Sequence, residues 1–166
     1  KLKEIVAKTV SFDFPLVKVD DNIASLELFH GPTMAFKDVG AKFMSQCLEY
    51  FNKDNDDEVT VLVATSGDTG GAVANGFLGA KGVNVVILYP SGKVSDVQEK
   101  QLTTLGKNIK ALEVEGTFDD CQAMVKASFL AEPFLPDGRA LVAVNSINWA
   151  RIMAQIVYYF YAALAL

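Results

Sequence analysis

A chain of 166 residues with 51% hydrophobic side chains can bury a real core as one domain, and its net charge of −5, without a basic stripe, excludes the electrostatic footprint of a nucleic-acid binder. Cys47 and Cys121 sit in apolar helical patterns without CxxC spacing and read as reduced core thiols, while the lone His30 has no acidic or thiol cluster beside it and gives no metal site. The opening Lys-Leu-Lys-Glu-Ile is not a secretory leader, and the apolar run 152–166 contains Gln155 and falls short of the roughly 20 residues of a membrane span, so the protein reads as cytoplasmic with no membrane partner.

Residues 1–25 read as a lead-in segment to an α/β domain over 26–166. Val39, Phe43, Cys47 and Phe51 recur at spacings of four, with Met44 and Leu48 beside them, and predict a helix that opens at Asp38 and stops at the polar stretch 52–57. A strand over 59–63, a helix from Thr69 or Gly70 to about Ala80 and a strand over 84–88 follow. Ser95 with Gln98 has the form of a capping box for a third helix, which Gly106 ends. A strand over 109–114 leads to a fourth helix capped by Thr117. It has Asp119 and Asp120 in the first turn, where the helix dipole favours acids, and Cys121, Met124, Val125, Ser128 and Phe129 facing inward. After a strand over 141–144, the last helix begins near Ile147 and is apolar on nearly every side. It must be covered, and a bare flank predicts self-association. Strands that alternate with helices dictate parallel βαβ units with right-handed crossovers. The expected fold is α/β, a parallel sheet of about four strands between flanking helices in three αβα layers.

Three places carry chemistry. In Phe29-His30-Gly31-Pro32-Thr33-Met34-Ala35-Phe36-Lys37-Asp38, Lys37 lies between an apolar neighbour and a helix amino terminus. Both disfavour the ammonium form, which suits an amine nucleophile; the plainer alternative is a solvated surface lysine. In Ala64-Thr65-Ser66-Gly67-Asp68-Thr69-Gly70-Gly71 a strand gives way to a helix, and backbone N–H groups, the hydroxyls of Thr65, Ser66 and Thr69 and the positive helix end converge on one point beside Gly67. An anion belongs there, unless the segment is an ordinary turn with Asp68 or Thr69 as helix cap. It is neither a Walker loop nor GxGxxG, so nucleotide binding loses its support. Finally, Asn145, Ser146 and Arg151 follow the last strand, and an arginine fork beside an amide and a hydroxyl makes a phosphate receptor; the alternative is an N-cap plus a surface arginine. Lys93 and Lys100 read as solvated charges.

The phrases LELFHGPTMAFKDVGAKFM, VTVLVATSGDTGGAVANGF, VVILYPSGKVSDVQEKQLTTLG and NSINWARIMAQIVYYF closely resemble the threonine synthases, a branch of the fold-type II (tryptophan synthase β-like) pyridoxal phosphate enzymes, from about Leu26 to the end of the chain. The resemblance implies the small domain of that fold plus an adjoining helix, with Lys37 binding pyridoxal 5'-phosphate covalently and acting as the catalytic acid and base. It places Asp68 beside the cofactor ring, where much of the superfamily has asparagine. It makes Thr65, Ser66, Gly67 and Thr69 the substrate carboxylate loop, and gives Asn145, Ser146 and Arg151, with Lys37 and Thr69, to the phosphate of O-phospho-L-homoserine. It further implies that an amino-terminal segment and most of the large domain that cups the cofactor phosphate lie outside these 166 residues, so that this piece alone is a poor enzyme. The competing readings are another fold-type II enzyme, such as a threonine or serine dehydratase or a cysteine synthase, and a catalytically silent α/β binding module.

Overall fold

In a computed structural model that describes residues 1–54, 58–131, 139–145 and 147–166, four parallel strands form the centre of the chain. β1 (Leu16–Asp20) and β2 (Ile23–Leu26) form a separate antiparallel hairpin that pairs Leu16 with Leu26. The parallel sheet contains β3 (Glu58–Ala64), β4 (Val83–Pro90), β5 (Ile109–Val114) and β6 (Arg139–Ala143) in the order β5-β4-β3-β6. All four expected strands are present, each within two residues of its expected limits.

The β-branched runs explain which strands lie deepest. Val61, Val63, Val85 and Ile87 are fully buried, as expected for central parallel strands covered on both faces. On one face they pack with Ala41 and Met44 of α2 (Asp38–Asn52), Val73 of α3 (Asp68–Gly76), Phe77 just after it, and Leu102 of α4 (Asp96–Thr103). On the other, Leu62 and Leu88 pack with Cys121 of α5 (Phe118–Leu130). Each large apolar side chain so buried contributes about 1.5–3 kcal/mol. The three expected layers are therefore present.

Register decides what the loops bring together. Leu62 pairs with Ala143, so Ala64 and Asn145, two residues further along, leave the sheet at the same level on neighbouring strands. Because strand order reverses at β3, the loops after β3 and β6 flank the kind of crevice where open α/β sheets bind ligands.

Some helix faces differ from the sequence reading. In α2, Val39, Ala41, Met44 and Ser45 are buried, but Phe51 in the last turn is exposed with its ring against Tyr50. Cys47 is half-buried rather than a core residue, whereas Cys121 is buried; burial pushes both thiols up. Met124 and Phe129 of α5 are exposed, because this helix meets the sheet along a narrow stripe through Cys121 and Val125. Helix α3 starts at Asp68 and ends at Gly76, earlier than expected. The last helix begins at Trp149, two residues after its expected start, and is divided at Ile156 into α6 (Trp149–Gln155) and α7 (Val157–Ala165). There the amide bonds tighten to a three-residue spacing, Ile156 to Met153 and Tyr159 to Ile156. Tyr159, Phe160, Leu164 and Leu166 of this end are exposed, and among the described residues no helix is long and apolar enough to cross a membrane.

The first 25 residues do more than lead in. They include α1 (Leu2–Thr9), and β2 crosses the 25/26 division. Phe14 sits edge-on to Tyr158 at 5.2 Å and to Phe12 at the same distance. Tyr158, buried in α7, donates its hydroxyl to the Phe36 carbonyl at 2.7 Å, and burial, then Asp38, raises its pKa, which keeps it a donor. The amino-terminal aromatics thus brace a tyrosine that holds the peptide before Lys37.

A second constraint comes from Gly40, one turn into α2. A Cβ there would lie 2.8 Å from the Arg151 carbonyl and 3.0 Å from Gln155 Nε2, so only glycine lets α2 approach α6 this closely. Alanine is the better helix former by about 1 kcal/mol, while overpacking costs about 1–3 kcal/mol. Gly40→Ala is expected to lower stability in chemical denaturation, and a gain would show that the two helices separate freely. Tyr158→Phe is expected to destabilise by about 1 kcal/mol, since it orphans the Phe36 carbonyl; an unchanged denaturation midpoint would make that bond incidental.

Candidate active site

Lys37 stands immediately before α2, as its N-cap residue, in helical backbone conformation. The loop that delivers it is fixed from within. Asp38, buried, accepts from the Thr33 amide at 3.0 Å and from the Thr33 hydroxyl, and this clamp closes the turn over Gly31, whose missing Cβ leaves room for the same carboxylate. An ionised side chain in the first turn also suits the helix dipole. With Tyr158 holding the Phe36 carbonyl, the peptide carrying Lys37 is held on both sides.

The Lys37 side chain is 22% exposed and its ammonium lies over the Phe36 ring, 5.6 Å from the centroid. Its nearest charged partner is Asp68, with Nζ to Oδ2 at 3.8 Å. Two residues remote in sequence, each singled out from its own motif, therefore meet. Asp68 is 51% exposed and faces outward from the start of α3.

The turn before α3 is organised by Thr65. Its buried hydroxyl accepts from the amides of Gly67 at 3.0 Å and Gly70 at 2.8 Å and donates to the Gly67 carbonyl. The hydroxyl expected at the substrate is thus an internal brace of the loop, while Ser66 is exposed at its rim and Thr69 is buried. The N-cap is Gly67 without a side-chain cap bond, so neither Asp68 nor Thr69 plays that part. Gly67 has φ 140° and ψ −94°, which residues with a side chain rarely adopt. A Cβ there would also collide with the Gln98 side chain.

After β6, the cap of α6 is Asn148, which accepts from the Ala150 amide at 3.0 Å and donates to the Ala143 carbonyl at 3.1 Å. Asn145 is exposed, accepts from the Ile147 amide through its side chain and accepts from Arg151 Nη1 through its carbonyl at 2.9 Å. Ser146 lies outside the described residues. Arg151 corrects the surface alternative, since it is 1% exposed. Its Nε has no hydrogen-bond partner, and among the described residues no carboxylate pairs with it; burial lowers the guanidinium pKa. A buried cation without an anion costs several kcal/mol, which marks an anion-binding position.

Three supporting residues were not assigned a site role from sequence. Asn148 and Tyr158 gave no local signal beyond a helix start and an apolar run. Gln98 was visible only as a capping residue. Among the described residues no group of three or more metal-ligating side chains occurs, and Lys93 and Lys100 are exposed.

Comparison with known proteins follows the same lines. The chain is 52% identical over 163 residues to the threonine synthase of Buchnera aphidicola subsp. Acyrthosiphon pisum, matching 98% of this chain and 38% of that protein. The crystal structure of threonine synthase from Escherichia coli superposes with a TM-score of 0.90 at 49% identity, covering 99% of this chain and 38% of that one. The pyridoxal phosphate-bound threonine synthase from Brucella melitensis gives a TM-score of 0.88 at 45% identity, covering 98% and 36%. The chain thus spans well under half the length of these relatives. A family model, "Pyridoxal-phosphate dependent enzyme", matches residues 16–165. Because that match runs from the hairpin through Lys37, Asp68 and Arg151 to the last helix, this chain belongs to the pyridoxal-phosphate dependent enzymes.

Proposed function

We propose that the protein containing this chain is a threonine synthase, which converts O-phospho-L-homoserine and water into L-threonine and phosphate. The observation that carries this reading is the meeting of Lys37 Nζ with Asp68 at 3.8 Å beyond the carboxyl end of β3, with the buried Arg151, which lacks an anion, bonded to Asn145 beyond the carboxyl end of the neighbouring β6. Relatives named threonine synthase at about 50% identity favour this reaction over a dehydratase or a cysteine synthase.

The residues present fit the reactive end of pyridoxal phosphate. Lys37 offers a primary amine reachable from the sheet edge, and Asp68 offers a carboxyl beside it. When bound, the cofactor supplies a conjugated ring that takes up the electron pair left when a proton leaves carbon. Lys37 would hold it and, when free, move protons at the substrate Cα and Cβ as general base and acid. Asp68 would face a polar group of the ring, and if that group is an oxygen anion, one proton must lie between the two. The loop of Ser66, Gly67 and Thr69, with the amino end of α3 behind it, suits the substrate carboxylate. Arg151 and Asn145, with Ser146, would bind the phosphate ester and then the departing phosphate, so that negative charge leaving Cγ is met by a fixed cation.

Lys37→Ala in the full-length protein is expected to remove the covalent cofactor adduct seen by mass spectrometry after borohydride reduction, together with nearly all turnover. An adduct that persists would assign the lysine elsewhere. Arg151→Ala is expected to weaken binding of phosphohomoserine by about 2–5 kcal/mol and that of a phosphate-free analogue far less, with Arg151→Lys recovering part. Equal losses for both ligands would make Arg151 a structural residue.

A further inference from the structure

Gln98 belongs to the capping box of α4, yet its side chain has a second partner 30 residues away. Its Oε1 accepts from the Ser95 amide at 3.2 Å and the Ser95 hydroxyl at 3.0 Å. A backbone amide can only donate, so the amide oxygen of Gln98 must be the end that faces Ser95. Its Nε2 is thereby turned to the other side, where it donates to Asp68 Oδ1 at 2.7 Å. The position of this amide is fixed as well as its orientation, because it fills the space that a Cβ at Gly67 would need.

A donor against Oδ1 occupies one of its two lone pairs and lowers that oxygen's affinity for a proton, so protonation is favoured on the other oxygen. The other oxygen, Oδ2, is the one that looks towards Lys37, at 3.8 Å from Nζ. We propose that Gln98 is a positioning residue that locks the Asp68 carboxyl with Oδ1 as a permanent acceptor and Oδ2 as the atom that takes up and releases a proton beside Lys37. Its value to the reaction rests on the functional reading above, in which Asp68 and a ring oxygen must share a proton. The chain of contacts runs from Ser95 through Gln98 and Asp68 to Lys37. A helix cap therefore sets the orientation of a site residue.

Gln98→Glu separates the two duties. Glutamate is equally suited to the capping box, because it still accepts from Ser95, but it cannot donate to Asp68 and places a second carboxylate there. Lys37 is the cation facing Asp68; Asp96 and Glu99, in the first turn of α4, are unchanged by the substitution. In the full-length protein, with and without pyridoxal phosphate, the Asp68 carboxyl is followed by carbon-13 NMR titration and assigned by its loss in Asp68→Asn. Thermal unfolding is recorded alongside. Gln98→Glu is expected to raise the Asp68 midpoint, because a donor is replaced by a like charge, while the melting temperature stays within about 2 °C of the parent. Asp68→Asn combined with Gln98→Glu restores a donor facing an acceptor, and is expected to recover any stability lost in the single Gln98→Glu variant. An unchanged Asp68 midpoint in Gln98→Glu would reduce Gln98 to a helix cap and overturn the proposal. Failure of the parent protein to make threonine would sink the functional reading and leave this titration standing.

Discussion

The approach of α2 to α6 at Gly40 is the contact on which the site depends. One turn before it stands Lys37, and the backbone that Gly40 touches belongs to Arg151. A side chain at that position would push the two helices apart and displace Lys37, just before α2, relative to Arg151 in α6. The distance between these residues along the chain is large, so their meeting is a property of packing rather than of either motif. Tyr158 adds a second tie close by, from α7 to the loop before α2, by donating its hydroxyl to the Phe36 carbonyl.

Arg151 also decides which ligand chemistry fits. Placing a guanidinium in an almost fully buried position with an unpartnered Nε is unfavourable unless an anion completes the pair. A phosphate ester meets that requirement twice over, since it brings charge and several acceptor oxygens to a planar fork of donors. The free hydroxyl amino acids bring only their α-carboxylate, which the proposed reading assigns to the loop before α3. In the proposed reaction the same cation would stabilise phosphate as it departs, so that binding and leaving-group activation would use one side chain.

What was legible in the sequence follows the range of the interactions. Ser95 with Gln98 forms the capping box read from the sequence and Thr117 caps α5 as read, while its box with Asp120 is added by the structure. The β-branched strands were legible because burial on both faces leaves little choice of residue. Lys37 and Asp68 stood out through their motifs, and the fold brings them together. By contrast, the burial of Arg151, the pairing of Gln98 with Asp68 and the hydroxyl of Tyr158 on Phe36 all join distant segments. No local pattern encodes them. The β1–β2 hairpin carried a local cue in the turn Asp20-Asp21-Asn22, but its strands bury little, so the usual alternation is weak. Exposure of Phe51, Met124 and Phe129 shows the opposite error, in which helical periodicity marks a face wider than the one that packs.

The most direct measurement is the product balance of the purified full-length protein supplied with O-phospho-L-homoserine and pyridoxal phosphate. Inorganic phosphate and L-threonine are expected to form in equal amounts, with one oxygen from labelled water in each threonine at Cβ and negligible turnover of free serine or threonine. Ammonia and a 2-oxo acid from free serine or threonine, without phosphate release from phosphohomoserine, would contradict it.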